Sequence, residues 1–187
     1  MTRRSRIPAP ADGGRLGPSY QPELSAAIDG FYRATTRLSR LDPVSTEVLR
    51  LRCARQHDCR ICKAVRLREA RDAGVDEALT SKIDDYERSD LEGRLKALLR
   101  YVDAFITSPG SLSDAVATGL RRHYSTAEIV EISLDIMKFA TQKIHVCLGV
   151  DVMAGVDVES GAVTYFGFDS DGRPCDFRAA EDELLLG

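Results

Sequence analysis

A chain of 187 residues is long enough for one domain with a hydrophobic core plus tails. Its 43% hydrophobic and 29% charged residues are ordinary for a globular protein, and a net charge of −3 excludes wholesale nucleic-acid binding. No apolar run reaches the ~18 residues that span a bilayer, and the basic segment Met1–Gly14 lacks the apolar stretch of a signal peptide, so the expected compartment is the cytoplasm with no membrane partner.

Residues 1–22 are rich in Pro, Gly and Arg and read as a mobile N-terminal arm. Helical periodicity opens near Glu23, with Leu24, Ala27, Ile28, Phe31, Ala34, Thr35 and Leu38 at three- and four-residue steps. Asp42-Pro43 breaks it and opens a helix carrying Val48, Leu49 and Leu51 to about Arg55. A further helix starts near Asp58, runs through Ala64, Val65, Leu67 and Ala70, and stops at Gly74. Asp76–Tyr86 reads as a short helix. Leu91–Thr107 reads as a longer one that ends at Ser108-Pro109-Gly110. Ser111–Tyr124 is helical. Ser125-Thr126-x-Glu128 has the form of a capping box opening a long apolar helix, Ala127–Leu148. After Gly149 the character changes: Val163–Phe168 is β-prone and Asp171-Gly172 is a turn signal, which predicts a short hairpin or an extended tail. No strand pattern precedes it. The expectation is therefore an all-α body over residues 23–155, with a C-terminal extension over 156–187.

Five cysteines in a reducing compartment do not predict a structural disulfide framework. Two of them form Cys59-x-x-Cys62, a spacing that suggests redox or metal chemistry. On a helix the pair shares one face at a separation a disulfide can bridge. Asp58 as N-cap would place Cys59 in the first turn, where free amides and the helix dipole stabilise a thiolate. Arg66, four residues past Cys62 on the same face, would favour the thiolate of Cys62, although an arginine cannot shuttle a proton. Attack on a peroxide or disulfide needs a base, and Glu47 is the candidate. In one continuous helix twelve residues are roughly 18 Å of rise. Glu47 can therefore reach the cysteines only if the chain reverses between Arg55 and Asp58, at the weakly helical His57-Asp58.

The residues also admit plainer readings. Cys59 and Cys62 could be ordinary buried thiols, and Glu47 a solvated helix charge. Cys53, His57, Cys59 and Cys62 could together hold zinc. His57 could substitute as base or be a surface residue at a helix break. His145 could be hydrogen-bonded in the interior or face the cysteines. His123 reads as a solvated helix end, Cys53, Cys147 and Cys175 as buried or tail thiols, and Glu131 as a carboxylate suited to the start of its helix.

The stretch Glu47-Val48-Leu49-Arg50-Leu51-Arg52-Cys53-Ala54, followed by Cys59-Arg60-Ile61-Cys62 and Ala70-Arg71-Asp72-Ala73-Gly74, resembles the carboxymuconolactone decarboxylase family in its alkylhydroperoxidase D-like branch. The likeness covers about residues 40–150 and includes the helix that starts Glu128-Ile129-Val130-Glu131 and ends Leu148-Gly149-Val150. It implies an all-α helical bundle assembled as a homo-oligomer (dimer, trimer or hexamer), with no cofactor. For the peroxidase members it implies that Cys62 attacks a small-molecule peroxide or disulfide, that Cys59 resolves it, and that Glu47 belongs to the proton relay. An external thiol or dithiol supplies the electrons. The sequence departs from the family's peroxidase motif in having Arg66 where a histidine follows the second cysteine, and Ile61 where one often lies between the two. Three functional readings follow: a thiol-dependent peroxidase or disulfide reductase, a non-enzymatic helical oligomer acting as a redox sensor or partner-binding module, and a decarboxylase-like enzyme.

Overall fold

Prolines open the first two long helices, α1 (Pro22–Thr36) and α2 (Pro43–Gln56), where a missing amide leaves no donor unpaired. The Asp42 side chain caps α2 by accepting the Ser45 amide at 3.0 Å. The structure is a computed structural model that describes residues 4–8 and 19–183. Beyond α2 the chain forms α3 (Arg60–Ala64), β1 (Val65–Leu67), α4 (Arg68–Asp72), α5 (Glu77–Ser81), α6 (Gly93–Thr107), α7 (Asp114–Arg121), α8 (Thr126–Ala140), α9 (Lys143–Leu148), β2 (Thr164–Phe168), β3 (Pro174–Ala179) and α10 (Ala180–Glu183). No helix among the described residues is long and apolar enough to cross a membrane.

The body is a helical bundle built around α2, which packs against α6 and α8. One side of α2 gives Leu49 and Cys53 to a core with Leu98, Val102, Ile132 and Ile136. Another gives Val48 and Leu51 to a core with Ile83, Leu95 and Leu99. Glu47 and Arg50 of α2 are buried as well, so their charges have to be paired inside the protein.

Three elements differ from the sequence reading. The helix expected from Asp58 to Ala73 is broken. It comprises α3 and α4 with the strand β1 between them. Val65 and Leu67 fit a strand as well as a helical face, and β1 is held extended by parallel pairing with β2, Val65 opposite Thr164 and Leu67 opposite Phe166. β2 continues into an antiparallel pair with β3, which gives a sheet of order β1-β2-β3. The long helix after Ser125 ends at Ala140 and resumes as α9. Thr141 returns its hydroxyl to the Lys138 carbonyl at 2.6 Å, a side-chain bond that competes with the helical ladder. The start of α8 has the expected capping box, with Ser125 and Glu128 bonded reciprocally. The short helix expected over Asp76–Tyr86 is confined to α5.

Of the expected N-terminal arm, residues 1–3 and 9–18 lie outside the described residues. Residues 4–8 lie against the end of α9, where the Arg6 amide donates to the Leu148 carbonyl at 2.8 Å. Gly149 sits there with φ +72°, and a Cβ at that position would run into the Arg4 carbonyl.

Candidate active site around Cys59 and Cys62

The chain reversal that Glu47 requires is present and has a local cause. Asp58 takes the left-handed conformation, φ +53°. Its amide donates to the Arg55 carbonyl at 3.1 Å and the Cys59 amide to the Ala54 carbonyl at 2.9 Å. This is the Schellman pattern of a helix C-terminus, with aspartate in the position that glycine or asparagine usually fills. Asp58 is therefore the stop of α2, not the N-cap of α3. The N-cap is Cys59, whose Sγ accepts the Cys62 amide at 3.3 Å.

The first turn of α3 leaves no donor free among its four amides. Arg60 N–H donates to the Asp151 carboxylate at 2.8 Å, Ile61 N–H to the Asp151 carbonyl at 3.3 Å, and Lys63 N–H to the Cys59 carbonyl at 3.0 Å. Asp151 is buried and also accepts Arg60 Nη2 at 2.8 Å. Burial would raise its pKa, but the bonds from Arg60 outweigh that and hold the carboxyl at about 2.

The other end of α3 is gripped by two arginines. Arg50 donates from Nη1 to the Cys62 carbonyl at 2.8 Å and from Nη2 to the Val65 carbonyl at 2.6 Å. Arg66 donates from Nη1 to the carbonyls of Lys63 at 2.7 Å and Val65 at 2.9 Å. Cations belong at this negative end of a helix. Each is paired with a carboxylate. Arg50 meets Glu47 through Nε and Nη2 at 2.6 and 2.7 Å. Arg66 meets Glu77 at 2.7 and 3.0 Å. Burial works against the charge on Arg50, and Glu47 overcomes it, leaving the guanidinium more basic than usual. Glu77 lies below the ordinary carboxylate range because Arg66 outweighs its partial burial.

Cys59 and Cys62 are joined as a disulfide with Cα atoms 5.3 Å apart. Cys59 is 1% exposed, whereas Cys62 is partly exposed. Glu47 is 0% exposed and is no solvated charge. Its carboxylate also accepts the Leu67 amide at 3.3 Å. The structure thus brings Glu47 to Cys62 through Arg50. It does not place Arg66 as expected. Because α3 ends at Ala64, the four-residue spacing from Cys62 is not helical, and the guanidinium turns to Glu77 and the helix-end carbonyls.

His57 caps the end of α2 half-buried, and burial together with Lys143 lowers its imidazole to about 4, so it is neutral at pH 7. His123 is exposed and His145 partly buried on α9. Glu131 is buried and accepts the amides of Arg40 and Leu41, which fixes the turn before α2. Cys53 is buried, and its thiol is pushed up to about 12 chiefly by burial. Cys147 is exposed and Cys175 partly so. Among the described residues no group of three His, Cys, Asp or Glu side chains could hold a metal ion.

Two site residues escape a sequence reading centred on the cysteines. Arg50 carries a signal, since it lies three residues from Glu47 with opposite charge, a spacing at which two helical side chains meet. Asp151 carries none, because its partners lie 91 residues earlier in the chain.

No protein-family model matches the chain. Rv2313c, an uncharacterized protein of Mycobacterium tuberculosis, is 44% identical over 140 residues, 74% of this chain and 49% of the relative. The chain thus spans about half the length of the curated relatives it matches. Among solved structures, a protein of unknown function from Agrobacterium tumefaciens aligns with a TM-score of 0.59 at 24% identity, over 78% of this chain and 95% of that one. An uncharacterized peroxidase-related protein from Ralstonia eutropha with an alkylhydroperoxidase AhpD core aligns with a TM-score of 0.59 at 15% identity, over 72% and 73%. At these identities the likeness is one of architecture, and the chain has the AhpD-type helical fold.

Proposed function

We propose that this protein is a thiol-dependent reductase of peroxides or disulfides, with Cys62 attacking and Cys59 resolving. The observation that carries the reading is the contrast between the two sulfurs, Cys59 at the N-cap of α3 and Cys62 within it. The partly exposed Cys62 is open to a substrate, while the buried Cys59 lies at disulfide distance behind it. With a peroxide, the Cys62 thiolate attacks the terminal oxygen, an alcohol leaves after taking up a proton, and Cys62 becomes a sulfenic acid. The Cys59 thiol then displaces water and forms the disulfide. An external thiol or dithiol, present in a reducing cytoplasm, returns both sulfurs to thiols and leaves as its own disulfide.

Glu47 and Arg66 do not enter as proton carriers. Both Glu47 oxygens are engaged by Arg50, and the Arg66 guanidinium is taken up by Glu77. The proton of a partly exposed Cys62 leaves to water. The working form is a homo-oligomer, a reading supported by exposed apolar side chains on two helices that pack together, Leu24 and Ile28 of α1 and Val130 and Met137 of α8.

The test is a single turnover of the fully reduced protein with one equivalent of peroxide, read by mass spectrometry. A Cys59–Cys62 bridge is expected. Cys59→Ser should stop at the Cys62 sulfenic acid, trapped by dimedone, and Cys62→Ser should give neither product. Peroxide consumption without a bridge would sink the reading.

A further inference from the structure

Four cation–anion pairs surround Cys62, and three of them touch water. Lys63 and Asp58 have side chains 41% and 63% exposed, Glu77 opposite Arg66 is 55% exposed, and Arg60 opposite Asp151 is 13% exposed. The Glu47–Arg50 pair is different, at 1% and 4%. Around it lie the buried Phe166 of β2, whose ring centre is 5.9 Å from the guanidinium carbon, and the half-buried Tyr32 of α1, whose phenol is pushed up to about 12 chiefly by desolvation and is therefore neutral. Arg50 reaches the Cys62 carbonyl at 2.8 Å. The Cys62 sulfur belongs to the same residue, so the guanidinium lies within roughly 8 Å of it in any rotamer. At that range a buried charge without its counter-charge shifts a thiol by about one pH unit or more.

We infer that the buried Glu47–Arg50 pair sets the acidity of the Cys62 thiol, Glu47 acting as a built-in neutraliser of a cation held against the Cys62 backbone. Both are positioning residues and neither is the base of the reaction: Arg50 acts from its bond to the Cys62 carbonyl, and Glu47 acts through Arg50. The inference rests on the thiol-redox reading and adds to it a reason for two buried charges that burial alone would disfavour. It also gives the effects of single substitutions opposite signs. Removing Glu47 leaves a cation beside the sulfur and favours the thiolate. Removing Arg50 leaves a carboxylate and disfavours it. A purely structural role, holding the end of α3 in place, would move the thiol in the same direction for both.

The experiment measures the pH midpoint of iodoacetamide alkylation of Cys62 in full-length protein carrying Cys59→Ser, with circular dichroism as the check on folding. Glu47→Gln keeps the shape of the side chain and should lower the midpoint by about one unit, with alkylation several-fold faster at pH 7. Arg50→Met should raise it. Arg50→Lys keeps the charge, loses the fork, and should stay near the parent. The inference is overturned if Glu47→Gln leaves the midpoint unchanged or raises it. It is equally overturned if Arg50→Met lowers the midpoint. Should Arg50→Met not fold, Glu47→Gln decides alone. In the parent protein, dithiothreitol should open the Cys59–Cys62 disulfide to two thiols and leave as its cyclic disulfide. A bridge that dithiothreitol cannot open overturns the redox reading instead, so the two failures are distinct.

Discussion

At the scale of single residues, α3 is held by side chains from distant parts of the chain. Asp151 supplies both its carboxylate and its carbonyl to the first amides of the helix, and it is neutralised by Arg60 from that same turn. A carboxyl held at about 2 in the folded protein, against an ordinary 3.8, has a definite consequence for stability. Its folded pKa is depressed, so the stabilisation is fully present above about pH 4 and is lost as pH falls towards 2. The amount at stake is about 2 kcal/mol. Urea unfolding of the parent between pH 5 and 2 should show that loss, and Asp151→Asn should be less stable at pH 5 with a flatter profile below it. Identical profiles would exclude Asp151 as a major cap of the helix. Asp58 shows a different single-residue effect. Its left-handed backbone turns α2 back on itself, which brings a residue twelve positions upstream to the cysteines.

At the scale of elements, a segment's legibility in the sequence follows from where its determinants lie. The α8 start was readable because Ser125 and Glu128 satisfy each other within one turn. The reversal at His57-Asp58 was readable because the spacing of Glu47 to Cys59 demanded one. β1 was not readable. Three residues have no periodicity of their own, and Val65-Arg66-Leu67 is a strand only because β2 pairs with it. The position of Arg66 follows directly from that, because the helix carrying Cys62 ends at Ala64 and Arg66 lies in the strand. The expected hairpin is present as β2 and β3, and its apolar face does more than close a tail. Phe166 is buried, stacks on Phe177 with ring centres 5.3 Å apart, and packs in a cluster that includes Ile61 and Ala64 of α3. Phe166→Ala should therefore cost about 3 kcal/mol in chemical denaturation and speed hydrogen exchange at the β1 amides. A cost below about 1 kcal/mol would mean the hairpin is not packed on the site.

At the scale of the whole molecule, α1 and α8, which pack together, both leave large apolar side chains in water. Leu24 is 60% exposed, and Val130 and Met137 are 54% and 50% exposed. Light scattering at micromolar concentration should give a mass at a multiple of 20.6 kDa, and Met137→Glu should shift it towards the monomer. A monomeric parent would remove the homo-oligomer from the proposed function. The site itself also has a whole-molecule property. Its disulfide lies in the first third of the sequence, yet the strand that pins β1 and the ring that covers Arg50 come from the last. During synthesis the two cysteines leave the ribosome long before residues 164–168 exist, and pairings this distant in sequence form late. For that interval Cys59 and Cys62 belong to an unfinished site, with a bare strand edge where β2 will lie. The chemistry proposed for the site is therefore acquired only once residues 164–168 have been made and have paired with β1.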